Sequence, residues 1–142
     1  TAGYDVIEEA GVDAIRERSL ALTQLLIDLI DEAGLEVRSP RAAERRGGTV
    51  LVGTPDHAAV HKELGERGII CDFRPDSGLE VPAAKPPAPG RENPAAFGGG
   101  GGIRLGPHFF NTEDELRHTV EQLADIVESG ASEKHAGAVG RF

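Results

Sequence analysis

The chain has 142 residues, a formal net charge of −9 at pH 7 and one cysteine. This length fits one domain with a sizeable core and is too short for two ordinary domains. The negative charge disfavours nucleic acid and anionic lipid as partners, and no run of Lys and Arg offsets it. No apolar stretch approaches the roughly 20 residues that span a bilayer. A single cysteine excludes an internal disulfide and suits a reducing, cytoplasmic location.

Two helices are predicted at the start of the chain, where apolar residues recur every three to four positions through residues 4–33. Gly11 divides a short helix from a long one, and Gly34 ends the second because glycine adopts the left-handed conformation that closes a helix. Residues 35–37 alternate like a short strand. Residues 49–52 are almost continuously apolar or β-branched and predict a buried strand.

The second half of the chain predicts a further helix, two strands and a final helix. A capping hydroxyl at Thr54 followed by Pro55 predicts a helix that runs to Gly68. Strands follow at 69–74 and at 103–105. The capping-box pair Thr112 and Glu115 predicts a helix over 113–129, and we expect a disordered tail over 130–142.

Residues 76–101 differ in kind from the rest, since they are rich in proline and end within a run of five glycines. This composition predicts a flexible insertion between two strands that would otherwise form a hairpin. The order of elements predicts an α/β fold of the two-layer α+β type. We expect a small mixed or antiparallel sheet of about four strands, with the helices packed on one face.

Arg104 is the strongest candidate for a binding residue. Its side chain should point away from the face shared by Ile103 and Leu105, because side chains alternate along a strand. A guanidinium group offers a planar fork of donors that matches a carboxylate. The alternative interpretation is a surface arginine on an edge strand.

Three other residues are weaker candidates. Arg74 lies two positions after Asp72 on the preceding strand, so it forms either a structural ion pair with that residue or a second anion-binding group. His108 and Asn111 lie in the turn after Arg104, where they either contact a ligand or are ordinary turn residues.

No metal site or catalytic residue is predicted. His57 and His61 have the spacing of two ligands on one helix face, but no Glu follows His57 and no third ligand is evident. The glycine run lacks the Lys-Ser/Thr of a phosphate-binding loop and leads into a strand rather than a helix.

The sequence resembles the C-terminal domain of kynureninase over about residues 3–129. The similarity is carried by Gly68-Ile-Ile-Cys-Asp-Phe-Arg-Pro75, by Gly102-Ile-Arg-Leu-Gly-Pro-His-Phe-Phe-Asn-Thr112 and by Ala10-Gly-Val-Asp-Ala-Ile-Arg-Glu-Arg-Ser-Leu20, which resembles the helix that links the two domains of these enzymes. Kynureninases are fold-type-I pyridoxal phosphate enzymes related to class V aminotransferases.

The resemblance implies a hydrolase of tryptophan catabolism that cleaves kynurenine to anthranilate and alanine, with pyridoxal phosphate as electron sink. Arg104 matches the arginine that binds the substrate α-carboxylate, and Arg74, His108 and Asn111 are candidates beside it. Residues 1–33 would be linking helices from the large domain, and residues 34–129 the small C-terminal domain.

The resemblance also implies partners that this sequence lacks. The large domain would hold the cofactor and supply its lysine, and the complete enzyme would be a homodimer acting on a small amino acid. Lys62, Lys85 and Lys134 match no cofactor lysine, so we expect the isolated chain to be inactive. Two alternatives stay open: the small domain of another class V aminotransferase or cysteine desulfurase-like enzyme, and a non-catalytic module that binds a small carboxylate or a partner domain.

Overall fold

A computed structural model of the chain describes residues 2–76 and 100–137. Its regular elements follow the order that the sequence predicts. The helices are α1 (Ala2–Ala10), α2 (Val12–Glu32), α3 (His57–Glu66) and α4 (Glu113–Ser129), and the strands are β1 (Glu36–Val37), β2 (Val50–Gly53), β3 (Asp72–Arg74) and β4 (Gly102–Leu105). Short 3-10 helices span Ala43–Arg45 and Ala131–His135. None of the helices in the described part of the chain is long and apolar enough to cross a membrane.

The four strands form one antiparallel sheet in the order β1-β2-β4-β3. β2 and β4 are therefore the central strands, although β4 comes last in the chain. In the register, Arg104 lies between Leu51 on one neighbour and Asp72 on the other. The predicted hairpin partners, β3 and β4, are indeed paired, which confirms the fold class.

The core lies on one face of this sheet, which we call the inner face. Side chains alternate along a strand, and the inward set of β2 and β4 packs against α2, α3 and α4. This core is aliphatic, as the scarcity of aromatic residues requires. Its buried members are Leu22, Leu26, Ile27, Ile30, Val50, Val52, Val60, Leu64, Ile103, Leu105, Leu116, Val120, Leu123 and Ile126.

Local signals fix several helix ends as predicted. Gly11 and Gly34 have positive φ angles of 79° and 70°, which few other residues adopt without strain. At the start of α4, the Thr112 hydroxyl accepts from the Glu115 N–H, and the Glu115 carboxylate accepts from the Thr112 N–H. This reciprocal pair is the predicted capping box.

The start of α3 differs from the prediction. Asp56, not Thr54, is the capping residue, and its carboxylate accepts a hydrogen bond of 2.9 Å from the Ala59 N–H. The Thr54 hydroxyl instead lies 2.8 Å from Nδ1 of His57. Both residue types cap helices well, so the sequence did not distinguish between two acceptors so close together.

The ends of two other elements also differ from expectation. β3 is shorter than the predicted strand 69–74, and the Ile70 side chain is fully exposed. Within the predicted tail, Ala131–His135 forms a 3-10 helix that packs on α3 and buries His135. Residues 138–142 and most of the predicted insertion lie outside the described residues.

Candidate functional site

Arg104 lies near the middle of the sheet on the face opposite the helices, which we call the outer face. Its neighbours Ile103 and Leu105 are buried in the core, so the alternation of the strand directs its guanidinium outward, as predicted. The side chain is 39% exposed. The backbone of Arg104 is thus fixed in a central, hydrogen-bonded strand, while its guanidinium group remains accessible to a ligand.

Asp72 forms an ion pair with Arg104, and not with Arg74 as the sequence suggested. Oδ2 of Asp72 lies 3.6 Å from Nη1 of Arg104, and the Asp72 side chain is 64% exposed. The two residues face each other across β3 and β4. Directly opposed residues are about 5 Å apart at Cβ, closer than next-but-one residues of one strand. Asp72 therefore orients Arg104 rather than Arg74.

A cavity of about 470 Å³ opens beside Arg104 and collects part of the predicted site. His108 lines it together with Asp72 and Arg104, so the structure brings these residues together. The His108 ring stacks on Phe110, with ring centroids 5.2 Å apart. The remaining lining mixes apolar and small polar groups: Ile15, Ser19, Gly48, Thr49, Ile70, Cys71, Gly106, Pro107 and Phe109.

Asn111 is used by the turn itself rather than by this cavity. Its Oδ1 accepts from the His108 N–H at 2.8 Å, and its Nδ2 donates to Glu115 at 3.2 Å. Its carbonyl also accepts from Arg18 of α2. The N–H of Thr112 is the main cause of a lowered pKa of Glu115, with smaller contributions from Asn111 and from the Thr112 side chain. Asn111 thus positions His108 and joins β4 to the start of α4.

A second cavity, of about 270 Å³, is also lined by Arg104, together with Arg74. Arg38 and Arg45 also line it, so four arginine residues share one concave surface. The sequence interpretation did not include Arg38 or Arg45 among the candidates. The signal for them was the density of arginines in the loop after β1, which carries four between residues 38 and 46.

Asp76 and Gly101 lie together at the edge of this surface. The Asp76 carboxylate accepts from the Gly101 N–H, while the Gly101 carbonyl accepts from Arg38. The Gly101 hydrogen bond and then that of His57 hold the pKa of Asp76 below its ordinary value. A Cβ on Gly101 would overlap the Arg74 carbonyl oxygen, so this position requires glycine.

The two histidines of α3 do not form a metal pair. His57 contacts Thr54 and Asp76, whereas His61 lies 3.2 Å from the Cys71 carbonyl and packs on Phe73. Each ring thus has its own protein partners.

Elsewhere in the described residues, ligand atoms of Glu63, Glu66 and His135 lie within 4.8 Å of one another. The Lys134 ammonium is 2.8 Å from Glu63 and 3.1 Å from Glu66. Because Lys134 bridges the two carboxylates and Arg67 also pairs with Glu63, the group acts as a structural cluster.

Cys71 lines the larger cavity but is not a nucleophile. Burial, and to a smaller extent the Asp72 charge, raise the pKa of the thiol to about 11. The thiolate is the reactive form, so Cys71 is overwhelmingly protonated at neutral pH.

Comparison with known proteins relates this geometry to a family. Residues 15–83 match the family described as the kynureninase C-terminal domain. The resemblance to the kynureninase C-terminal domain is thereby confirmed. Kynureninases from Koribacter versatilis, Myxococcus xanthus and Bacillus thuringiensis subsp. konkukian are 36%, 35% and 31% identical over 84, 89 and 81 residues. These alignments cover 56%, 58% and 54% of this chain.

The chain corresponds to about a fifth of the length of these kynureninases, with 20%, 20% and 19% of each covered. A solved cysteine desulfurase from Thermococcus onnurineus NA1 has a similar fold, with a TM-score of 0.67 and 21% identity. The similarity covers 90% of this chain and 30% of the desulfurase. This chain and the matched part of the desulfurase therefore share one α+β architecture.

Proposed function

We propose that this chain is the C-terminal domain of a kynureninase-like, pyridoxal phosphate-dependent hydrolase that cleaves kynurenine to anthranilate and alanine. In this proposal Arg104 binds the α-carboxylate of the substrate. The observation that carries the proposal is the position of Arg104, accessible on the outer face of the sheet between two cavities. The match to the kynureninase C-terminal domain supports the choice of reaction.

The geometry around Arg104 suits a carboxylate. The Asp72 pair is long at 3.6 Å and well exposed, so it restricts the guanidinium without saturating its five donors. A substrate carboxylate can accept two parallel hydrogen bonds from the free edge of the group. His108 and the apolar lining of the larger cavity are then available to the rest of the amino acid.

The cofactor would be held by the large domain, because the described lysines do not suit it. Lys134 is bound to Glu63 and Glu66, and Lys62 lies exposed on α3. Neither lines a cavity beside Arg104. Pyridoxal phosphate supplies an electron sink when bound, and the part of this chain is to hold and orient the substrate.

We further propose the domain division that this role requires. Residues 1–33 would link to the large domain and residues 34–129 would form the small domain, within an enzyme that is a homodimer. In the structure the second half of α2 already contributes Leu22, Leu26, Ile27 and Ile30 to the core. The linking helix would therefore transmit movements of the large domain directly to the sheet that carries Arg104.

The test is the Arg104→Ala variant in the complete enzyme, made by joining this chain to its large domain. Losing a charged hydrogen-bonding partner should cost about 1.5–3 kcal/mol of substrate binding, or roughly a 10- to 150-fold loss of kcat/KM. Arg117→Ala, which removes an exposed arginine of α4, is the matched control. Unchanged kinetics in Arg104→Ala would reject the role of this residue.

The desulfurase-like fold favours one alternative reaction on the same scaffold. The same complete enzyme should therefore be assayed with kynurenine for anthranilate and with cysteine for sulfide. Sulfide without anthranilate would favour a desulfurase. Saturable binding of free amino acids by the isolated chain would instead favour a carboxylate-binding module.

A further inference from the structure

Beyond the proposed hydrolase, we propose that the smaller cavity is an anion site for the phosphate group of a small molecule, adjacent to the proposed carboxylate site and sharing Arg104 with it. We call this cavity the arginine groove. Its lining residues are four arginines, two hydroxyl-bearing residues and small or apolar residues: Arg38, Arg45, Arg74, Arg104, Ser39, Thr49, Pro40, Gly47 and Leu51. None of these lining residues is acidic.

The fold brings these arginines together from four separate segments. Arg38 follows β1 and is bonded through its backbone to Leu51 of β2, while Arg45 ends the 3-10 helix Ala43–Arg45. Arg74 and Arg104 lie on β3 and β4. The whole chain carries only 15 Lys and Arg residues and a net charge of −9. Four arginines in one groove therefore oppose the overall charge and create a local positive potential, which attracts anions.

The carboxylates nearby pair with Arg38 and Arg104, but within the described part of the chain none of them pairs with Arg74. Glu36 lies 2.9 Å from Arg38, and Asp76 lies 4.0 Å from the same side chain. Asp72 makes only the long contact to Arg104. Among the described residues, no carboxylate forms an ion pair with Arg74, whose side chain is exposed. Arg74 is thus a cation that is positioned in the groove and is not satisfied by the fold.

The donors of the groove fit a phosphate better than a carboxylate. One guanidinium fork satisfies a carboxylate, which carries a single charge and two oxygens. A phosphate group carries up to two charges and three acceptor oxygens, so it can use several guanidinium groups at once. Ser39 adds a further donor: its Oγ accepts from the Leu51 N–H at 2.8 Å, which leaves its own proton for another acceptor.

Part of this site is held rigidly in advance of any ligand. The Arg38 guanidinium donates to the Gly101 carbonyl and to the Glu36 carboxylate, so its orientation is set by protein groups. A preorganised cation loses little conformational freedom when an anion binds. The exposed Arg74 can then close on the ligand from β3.

The test uses the whole chain and inorganic phosphate or pyrophosphate at constant ionic strength, followed through the arginine Nε–Hε signals in NMR spectra. We expect saturable shifts at Arg38, Arg74 and Arg104. Arg74→Gln should weaken phosphate binding at least fivefold, and Arg74→Lys should weaken it less. Arg117→Gln makes the same change of net charge on α4, outside the groove, and should leave the affinity unchanged.

Several outcomes would overturn the proposal. They are the absence of saturation, an equal loss in Arg117→Gln, acetate binding as tight as phosphate binding, and binding of only an acidic peptide such as hexaglutamate. Arg45→Gln is the second variant on an independent element, and unchanged affinity in both variants would also exclude the site. Because phosphate and pyrophosphate are not amino acids, their binding is independent of whether the chain serves a kynureninase-like reaction.

Discussion

Two charged regions of this molecule use similar residues to opposite effect. One is the arginine groove of the outer face. The other, which we call the α3 cluster, joins α3 to the 3-10 helix Ala131–His135 and consists of Glu63, Glu66, Arg67, Lys134 and His135. The first region is lined by arginines and by no acidic residue. In the second, acidic and basic side chains pair with one another.

In the α3 cluster the central carboxylate is saturated. Glu63 is only 5% exposed and lies 2.8 Å from Lys134, 3.0 Å from His135 and 3.2 Å from Arg67. The Lys134 hydrogen bond, followed by those of His135 and Arg67, overcomes the effect of desolvation and lowers the pKa of Glu63 to about 2. A buried charge persists only with such partners.

The groove differs because its carboxylates are exposed: Glu36, which lies 2.9 Å from Arg38, is 64% exposed, and two further pairs are longer. The contacts of Arg104 with Asp72 and of Arg38 with Asp76 measure 3.6 Å and 4.0 Å. Exposed pairs of this kind are worth about 0.2–1 kcal/mol. Charged groups that are fully paired with one another stabilise the fold. A charged group on the sheet that has no such partner is available to bind a ligand.

Removing the central charge of the α3 cluster should have the largest effect on stability. We expect Glu63→Gln to cause the largest loss of thermal stability among the variants discussed here, because Arg67 and Lys134 lose their buried partner. Calorimetric melting temperatures would measure it. Glu66→Gln is the matched control, since Glu66 is half exposed and contacts the same lysine, and an equal loss in both variants would contradict the central role of Glu63.

The lowered pKa of Glu63 predicts that the stability of the fold depends on pH. A carboxyl whose pKa falls from 4.5 to about 2 on folding stabilises the native state above pH 4.5. This stabilisation should be lost progressively as the pH falls towards 2. Denaturant titrations of the wild type and of Glu63→Gln at several pH values would isolate the contribution, and parallel pH profiles for the two proteins would exclude it.

Two glycine substitutions test how tightly the backbone is packed at the edge of the groove. Gly101→Ala forces a Cβ against the Arg74 carbonyl and the His57 ring, so we expect a loss of about 1–3 kcal/mol in the free energy of unfolding. Gly65→Ala is the control, because a Cβ at this α3 position meets nothing within 4 Å. It should stabilise the protein by about 0.5–1 kcal/mol. Two variants of equal stability would show that the Gly101 site can relax.

The smallest effect is expected at the ion pair of Arg104. Asp72→Asn should change the free energy of unfolding by less than about 1 kcal/mol, because the pair is exposed. Chemical denaturation would measure it. A larger loss would mean that Asp72 belongs with the self-satisfied α3 cluster and not with the open outer face.

Features governed by neighbouring residues could be predicted from the sequence. The bounds of α4 follow from the capping box of Thr112 and Glu115 and from the left-handed glycine at position 130. The outward direction of Arg104 follows from the alternation of a strand, and the order of helices and strands follows from their periodicities. These depend on interactions within a few residues, which the chain encodes locally.

The partners of the charged groups were decided only by the tertiary structure. The register of β3 against β4 pairs Asp72 with Arg104, and the return of the chain brings Arg38 and Arg45 to the same groove as Arg74. His135 contacts Glu63, which lies 72 residues earlier in the sequence. This contact orders the 3-10 helix in a segment that the sequence predicted to be a disordered tail. Such contacts join segments far apart in the sequence, so spacing along the chain determines which side chains are available but not which of them meet.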